Sequence, residues 1–329
     1  MKLRYRIQLA FVAALAIFLA GVQQAAYAED ALPEIRLDYA YYSPLSLVVR
    51  RFGWLEQEFA PSKTQIRWVL SQGSNRALEY LNSGAIDFGS TAGLAALLSR
   101  ANGNAIKAVY VYSRPEWTAL VVAKASPIKS VADLRGKTIA ATKGTDPFLF
   151  LLRSLHQFGL RRADVNIVHL QHPDGRVALE QHTVDAWAGL DPHMAASEIE
   201  AGSTLLYRNV DFNTYGFLNV SEKFVKTHPD ALRRVLAVYE RGRRWTIAHP
   251  EQTAKILSEE ARLSLAVAQR QLQRTDFSNP IPGKTHVQAL RDAAPILLDE
   301  GLVRKDTDLN AVIAALVDPT TATTIAKNP

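Results

Sequence analysis

From Ile35 the chain alternates apolar and polar positions through Leu37, Tyr39 and Tyr41, until Ser43-Pro44 interrupts the run. Leu45, Val48, Val49, Phe52, Leu55 and Phe59 then recur at helical spacing, which predicts a helix over 45–59. Ser43 is placed to cap that helix, and Pro44 at its first position lacks only an amide that has no partner there. The same order returns several times. A strand over 66–70 leads to Gln72-Gly73, and one ending at Ile86, Phe88 and Gly89 leads through Ser90 or Thr91 to Leu94, Leu97 and Leu98. Residues 138–142 lead through Gly144-Thr145-Asp146-Pro147 to Phe148, Leu151, Leu152, Leu155 and Phe158, and 185–190 lead through Asp191-Pro192 to 194–199. Strands alternating with helices predict parallel βαβ units. Helices that start at strand C-termini all open toward one edge of their sheet, where ligands bind. Beyond Tyr215 the spacing is helical over 222–226, 229–245, 250–260, 264–274 and 285–300.

Length and charge narrow the picture. At 329 residues the chain is long enough for two lobes. Its formal net charge is +6, but Lys2, Arg4 and Arg6 supply three of those charges ahead of an apolar run over 9–22 and the small-x-small sequence Ala26-Tyr27-Ala28. That order reads as a secretory signal peptide over 1–28, cut after Ala28. The apolar run, about 14 residues, is shorter than the roughly 20 a membrane span needs. The mature chain then carries only about +3, which gives no nucleic-acid surface. Cys is absent, so disulfides, thiolate nucleophiles and a lipidated cysteine are excluded. The expectation is a free periplasmic protein.

Three blocks carry a family resemblance: ALEYLNSGAIDFGSTAG at 77–93, SPIKSVADLRGKTIAATKGTDPFLFLLRSLHQFGL at 126–160 and VALEQHTVDAWAGLDP at 177–192. With the helical segment 215–236, they resemble the periplasmic solute-binding proteins of ABC importers for aliphatic sulfonates, taurine and nitrate. The resemblance implies a type II periplasmic binding protein fold, with two α/β lobes, two crossover strands and a cleft that closes by hinge motion. Lobe one would be 29–116 plus 217–329, and lobe two 117–216. It also implies a monomer that captures a small anion, an alkanesulfonate, and delivers it to an inner-membrane permease and its ATPase, with no cofactor and no catalysis. Taurine, nitrate and a thiamine-type pyrimidine precursor are the other ligands to weigh, and an enzyme on the same bilobal fold is the competing class. Many sulfonate binders have Gly-Asp after the Thr of the second cap, where this chain has Thr91-Ala92-Gly93, and a bulky pair before Asp-Pro, where it has Gly189-Leu190.

A sulfonate stays ionised and accepts hydrogen bonds through three oxygens, so its receptor is a set of fixed donors. Helix N-termini supply them through unpaired amides and an aligned dipole worth roughly half a positive charge. Ser43, Ser90, Thr91, Gly144 and Thr145 therefore become candidates, each hydroxyl being equally suited to plain capping. Asp146 and Asp191 would repel an anion and read as caps of their own helices, with an ammonium such as that of taurine as the other partner for one of them. Arg114, close to the crossover and to Trp117, could clamp two sulfonate oxygens or stay solvated. Tyr41, Tyr42, Trp117, Phe148 and Trp187 are candidates to wall the organic tail, and Gln72 is a further polar candidate beside Gly73. His169 and His172 form the one close His pair, but a strand running into a turn there argues against a metal site. No G-x-S-x-G, H-E-x-x-H, P-loop or dinucleotide fingerprint occurs. Arg233, Arg234, Arg241 and Arg244 share one side of the 229–245 helix as a basic, solvated face.

Overall fold

The computed structural model describes residues 32–327, so the expected signal peptide lies outside the described residues. Two sheets organise the chain. The first contains β1 (Glu34–Tyr39), β2 (Gln65–Leu70), β3 (Phe88–Ala92), β4 (Ile106–Pro115), β10 (Gly216–Ser221) and β11 (Thr275–Asp276), in the order β11-β4-β10-β3-β1-β2. The second contains β5 (Thr118–Val122), β6 (Thr138–Ala141), β7 (Asn166–His169), β8 (Ala186–Leu190) and β9 (Thr204–Tyr207), in the order β7-β6-β8-β5-β9. The chain passes between the sheets twice, from β4 to β5 and from β9 to β10. Within each sheet the strands that feed helices run parallel, β1 beside β2 and β3 and β6 beside β7 and β8, whereas β5 and β10 pair antiparallel to their neighbours.

Each parallel strand ends at a helix. In the first lobe β1 leads to α1 (Pro44–Arg51) and α2 (Trp54–Phe59), β2 to α3 (Ser74–Asn82), and β3 to α4 (Gly93–Ala101). In the second, β6 leads to α5 (Asp146–Gln157), β7 to α6 (His172–Glu180) and β8 to α7 (His193–Glu200). The inner strands are covered on both faces: all five residues of β3, β5 and β8 are buried. The C-terminal part adds α8 (Glu222–Thr227), α9 (Pro229–Ala248), α10 (Pro250–Ala261), α11 (Leu265–Gln273), α12 (Lys284–Ala293), α13 (Pro295–Asp299), α14 (Leu309–Leu316) and α15 (Thr320–Lys327).

Two expected helices are each divided in two. The 45–59 run breaks at Gly53, which turns with φ +59° in the left-handed region that glycine enters without strain. The 285–300 run breaks before Pro295, which has no amide to continue the ladder. The basic face expected on α9 is neutralised within the chain. Arg233 pairs with Asp230, Arg234 with Glu58 and Arg244 with Glu240, while Arg241 lies 4.3 Å over the Trp54 ring.

Candidate functional site

The C-terminal edges of the two sheets face each other, which brings the starts of α1, α3, α5, α6 and α7 to one seam. Two glycines show how closely the edges approach. A Cβ on Gly73, just before α3, would stand 2.9 Å from His172 Nε2 on the opposite lobe, and one on Gly144 would lie 3.7 Å from Asn75 Cβ. Nearer the crossovers, the Tyr42 and Trp117 rings meet edge to face at 5.9 Å. On another side α11 lies against α7. Val267 packs on Ala195 and Ala196, Arg270 Nη1 donates to Glu198 Oε1 at 2.5 Å, and Arg274 also binds Glu198.

The seam is unusual for its unpaired polar atoms. Ser43 Oγ and Ser90 Oγ are buried with no hydrogen-bond partner among the described residues. Ser43 is the N-cap of α1, yet its side chain makes no capping bond, and Pro44 follows. Such hydroxyls cost free energy when left alone; that of Ser43 stands at the start of α1, whereas that of Ser90 lies within β3. Thr145 precedes α5, but its Oγ1 donates to Thr142 O at 2.6 Å instead of capping. Thr91 Oγ1 accepts from Asn219 Nδ2 at 2.7 Å and donates to Ala92 O. Neither Ser90 nor Thr91 caps α4, because pairing with β10 extends β3 to Ala92, and Leu94 N donates to Thr214 Oγ1 at 3.0 Å.

Several candidates take other places. Arg114 is half-exposed and donates to Asp211 at 3.1 Å, with its guanidinium over the Tyr215 ring, so its charge is spent outside the seam. Gln72 is exposed, because the turn after β2 points it outward. Phe148 is fully buried against His169, and Trp187 is fully buried beneath Gly175 of α6, so both fill the interior of the second lobe. Tyr42 is buried and donates to Ser90 O at 2.8 Å, which holds it at the seam, while Tyr41 is half-buried and its carbonyl accepts from Gln271.

The acidic residues behave differently from one another. Asp146 does not cap α5. It sits at the helix's first position and accepts from Trp117 Nε1 (2.9 Å), Thr214 N (3.0 Å) and Thr214 Oγ1 (2.8 Å), so one carboxylate ties both crossovers to a helix N-terminus. Burial pushes its carboxyl up, opposed by those three donors. Asp191 Oδ1 accepts from Ala195 N at 2.9 Å in the first turn of α7, and Oδ2 has no hydrogen-bond partner among the described residues. Burial raises Asp191 to about 7, opposed by Arg274 at 3.8 Å.

Three participants escaped the sequence reading, and a fourth, His172, entered it only in a His pair argued against as a metal site. Asp38, fully buried on β1, accepts from Ser90 N at 2.8 Å with Oδ1 while Oδ2 is unpartnered. The hydroxyls of Ser71 and Ser90 stand close without hydrogen-bond geometry, and burial raises the carboxyl to about 7. Asp38 takes a polar position of an alternating strand, after Glu34 and Arg36, so nothing in the sequence set it apart. Arg274, with its side chain only 6% exposed, has an unpartnered Nη1 facing Asp191. His172 and Asn75 each present a buried, unpartnered acceptor at the rim. Among the described residues no group of three or more His, Asp or Glu is arranged to hold a metal ion, and no helix is long and apolar enough to cross a membrane.

Two surface cavities lie elsewhere, one of about 290 Å³ beside Thr246, Pro250 and Phe277, and one of about 730 Å³ at the N-terminal edge of β1 and β3 beside Arg36 and Asp87. Neither is lined by residues of the seam. Lobes closed on each other leave little open volume where they meet, so converging helix termini locate the site better than cavity size does.

Comparison with known proteins agrees with this fold. The family model described as NMT1/THI5 like matches residues 65–253. A protein of Escherichia coli (strain K12), provisionally named an aliphatic sulfonates-binding protein, is 31% identical over 295 residues, which cover 88% of this chain and 92% of that protein. The alkanesulfonate-binding protein SsuA of Xanthomonas axonopodis pv. citri, solved bound to MOPS, superposes with a TM-score of 0.79 at 26% identity, covering 87% of this chain and 98% of that one. The periplasmic aliphatic sulphonate binding protein SsuA of Escherichia coli gives a TM-score of 0.73 at 28% identity, covering 84% and 90%. The two sheets joined by two crossovers are the type II binding-protein fold that the sequence led us to expect.

Proposed function

This chain belongs to the NMT1/THI5-like family, and on that premise we propose that it is a periplasmic solute-binding protein that captures an aliphatic sulfonate and hands it to an ABC permease and its ATPase. The lobes are taken as 29–116 with 217–329, and 117–216. The observation that carries the reading is the seam itself, where helix N-termini from both lobes converge with the unspent hydroxyls of Ser43 and Ser90. Fixed amide dipoles and neutral hydroxyls complement a group that is always anionic and has only acceptors to offer. No reactive side chain is needed, and binding alone is the output.

Asp38 and Asp191 fit the same reading. With both carboxyls pushed to about 7 by burial, much of their population near neutral pH is protonated, which lessens repulsion of a bound anion. The experiment is a thermal-shift panel on the mature protein with linear alkanesulfonates, taurine, nitrate, sulfate and a pyrimidine. A bound ligand at 100 times its dissociation constant adds about 2.7 kcal/mol to apparent stability. Stabilisation by sulfonates supports the reading; stabilisation only by sulfate, nitrate or the pyrimidine, or turnover of a sulfonate, overturns it.

A further inference from the structure

His172 is fully buried at the first position of α6, and its protonation pattern can be read from its neighbour. Thr142 Oγ1 donates its single proton to Leu170 O at 2.6 Å. Toward His172 Nδ1, 3.2 Å away, that hydroxyl can therefore only accept, so the ring carries its proton on Nδ1. Nε2 is left as a bare acceptor, buried and without a partner among the described residues. Burial, with His193 nearby, drives this imidazole down to about 3, so the ring does not answer the vacancy by taking a second proton.

The same point of the rim holds a second acceptor. A Cβ on Gly73 would lie 2.9 Å from His172 Nε2 and 2.8 Å from Asn75 Oδ1, and that oxygen is also buried and unpartnered. Gln171 Oε1, one residue before His172, is a third buried acceptor without a donor. Acceptors cannot satisfy one another, and leaving them unpaired forfeits the hydrogen bonds that water would have made. Alkyl chains and sulfonate oxygens supply no proton to this corner.

We propose that the rim formed by His172, Asn75 and Gly73 receives a hydrogen-bond donor on the ligand, a hydroxyl or ammonium group, so that the preferred substrates are donor-bearing sulfonates rather than plain alkanesulfonates. The proposal rests on the sulfonate reading above and adds the chemistry of the ligand's other end. Helix N-termini hold the anion, and the neutral imidazole reads the donor. A site built to accept a proton discriminates strongly against an analogue without one, because its acceptors then stay unpaired.

The test is calorimetric titration of the mature protein with ethanesulfonate, 2-hydroxyethanesulfonate and 2-aminoethanesulfonate, on the parent and on His172→Leu, with Asn75→Leu as a second variant should the first not fold. The donor-bearing ligands are expected to bind at least about tenfold tighter than ethanesulfonate. That advantage should fall below about threefold in the variant. Equal affinities for all three would overturn the proposal and leave the sulfonate reading standing; they would mean that water fills the corner or that Asn75 turns its amide nitrogen to His172. An advantage for the ammonium ligand alone, surviving in the variant, would overturn it in favour of Asp191. No binding by any of the three would remove the sulfonate reading and this proposal with it.

Discussion

Asp146→Ala should be among the most destabilising single substitutions in the chain. The carboxylate is 2% exposed and accepts three hydrogen bonds, from Trp117 Nε1, Thr214 N and Thr214 Oγ1. Hydrogen bonds to a charged group contribute about 1.5–3 kcal/mol each, and the donors left behind are buried. Relief of the cost of burying a carboxylate offsets part of that loss. The net expectation is about 3–5 kcal/mol, a large share of the 5–15 kcal/mol a domain has. Asp146→Asn keeps one acceptor oxygen but turns an NH2 toward a donor, and should cost about 1–3 kcal/mol. Urea titration read by tryptophan fluorescence measures both. The Trp117→Phe/Asp146→Asn double variant should be non-additive by more than about 0.5 kcal/mol, since the two residues share a bond. A cost for Asp146→Ala below about 1 kcal/mol, or strict additivity, would refute the idea that this carboxylate fastens both crossovers.

Asp38 makes stability depend on pH in a stated direction. Its folded-state value is raised from 3.8 to about 7, so the folded chain binds the extra proton between those values and loses stability as pH rises from about 4 to 7. Asp38→Asn should therefore melt higher than the parent at pH 8 and equal to it near pH 4; a gap that grows toward acid would contradict the burial argument. Ser43 Oγ has no partner among the described residues, so Ser43→Ala should leave the melting temperature unchanged yet weaken sulfonate binding by about 1.5–3 kcal/mol. Arg114→Ala, by contrast, should leave affinity unchanged, because its guanidinium serves an exposed pair with Asp211. Gly73 has an extended backbone that any residue adopts, so Gly73→Ala tests space alone. A methyl 2.9 Å from a ring held by Thr142 should prop the rim open and weaken ligand binding about tenfold, and unchanged affinity in calorimetry would show that the lobes need not meet there.

Local grammar was legible. Strand, polar break and helix recur because the alternation of period two gives way to period 3.6 within a few residues, and the Pro residues at 44 and 147 mark helix starts without reference to the rest of the chain. Capping was less so. Ser90 and Thr91 look like caps in sequence, but β10, more than a hundred residues later, pairs with β3 and carries the strand on to Ala92, leaving Thr214 to serve the α4 amide. Phe148 and Trp187 failed as cleft walls for a similar reason. An aromatic near an element's end can point to either face; Phe148 on α5 turns onto His169 of β7, and Trp187 lies beneath Gly175 of α6.

This division follows the chemistry of the site. Donors for an anion are backbone amides at helix starts, and helix starts are written in short sequence, so that half of the receptor can be anticipated before any fold is known. Acceptors are different, because a histidine, an asparagine or an aspartate becomes an unpaired acceptor only when packing has removed its alternatives. His172 in sequence offers a proton, a lone pair or a metal ligand equally well; Thr142, spent on Leu170 O, makes it a lone pair, and Gly73 from the other lobe walls it off from solvent. On the proposed reading, the end of the ligand that the helix dipoles would hold is thus a matter of local sequence. The end that would discriminate one sulfonate from another is fixed by contacts between residues about a hundred positions apart.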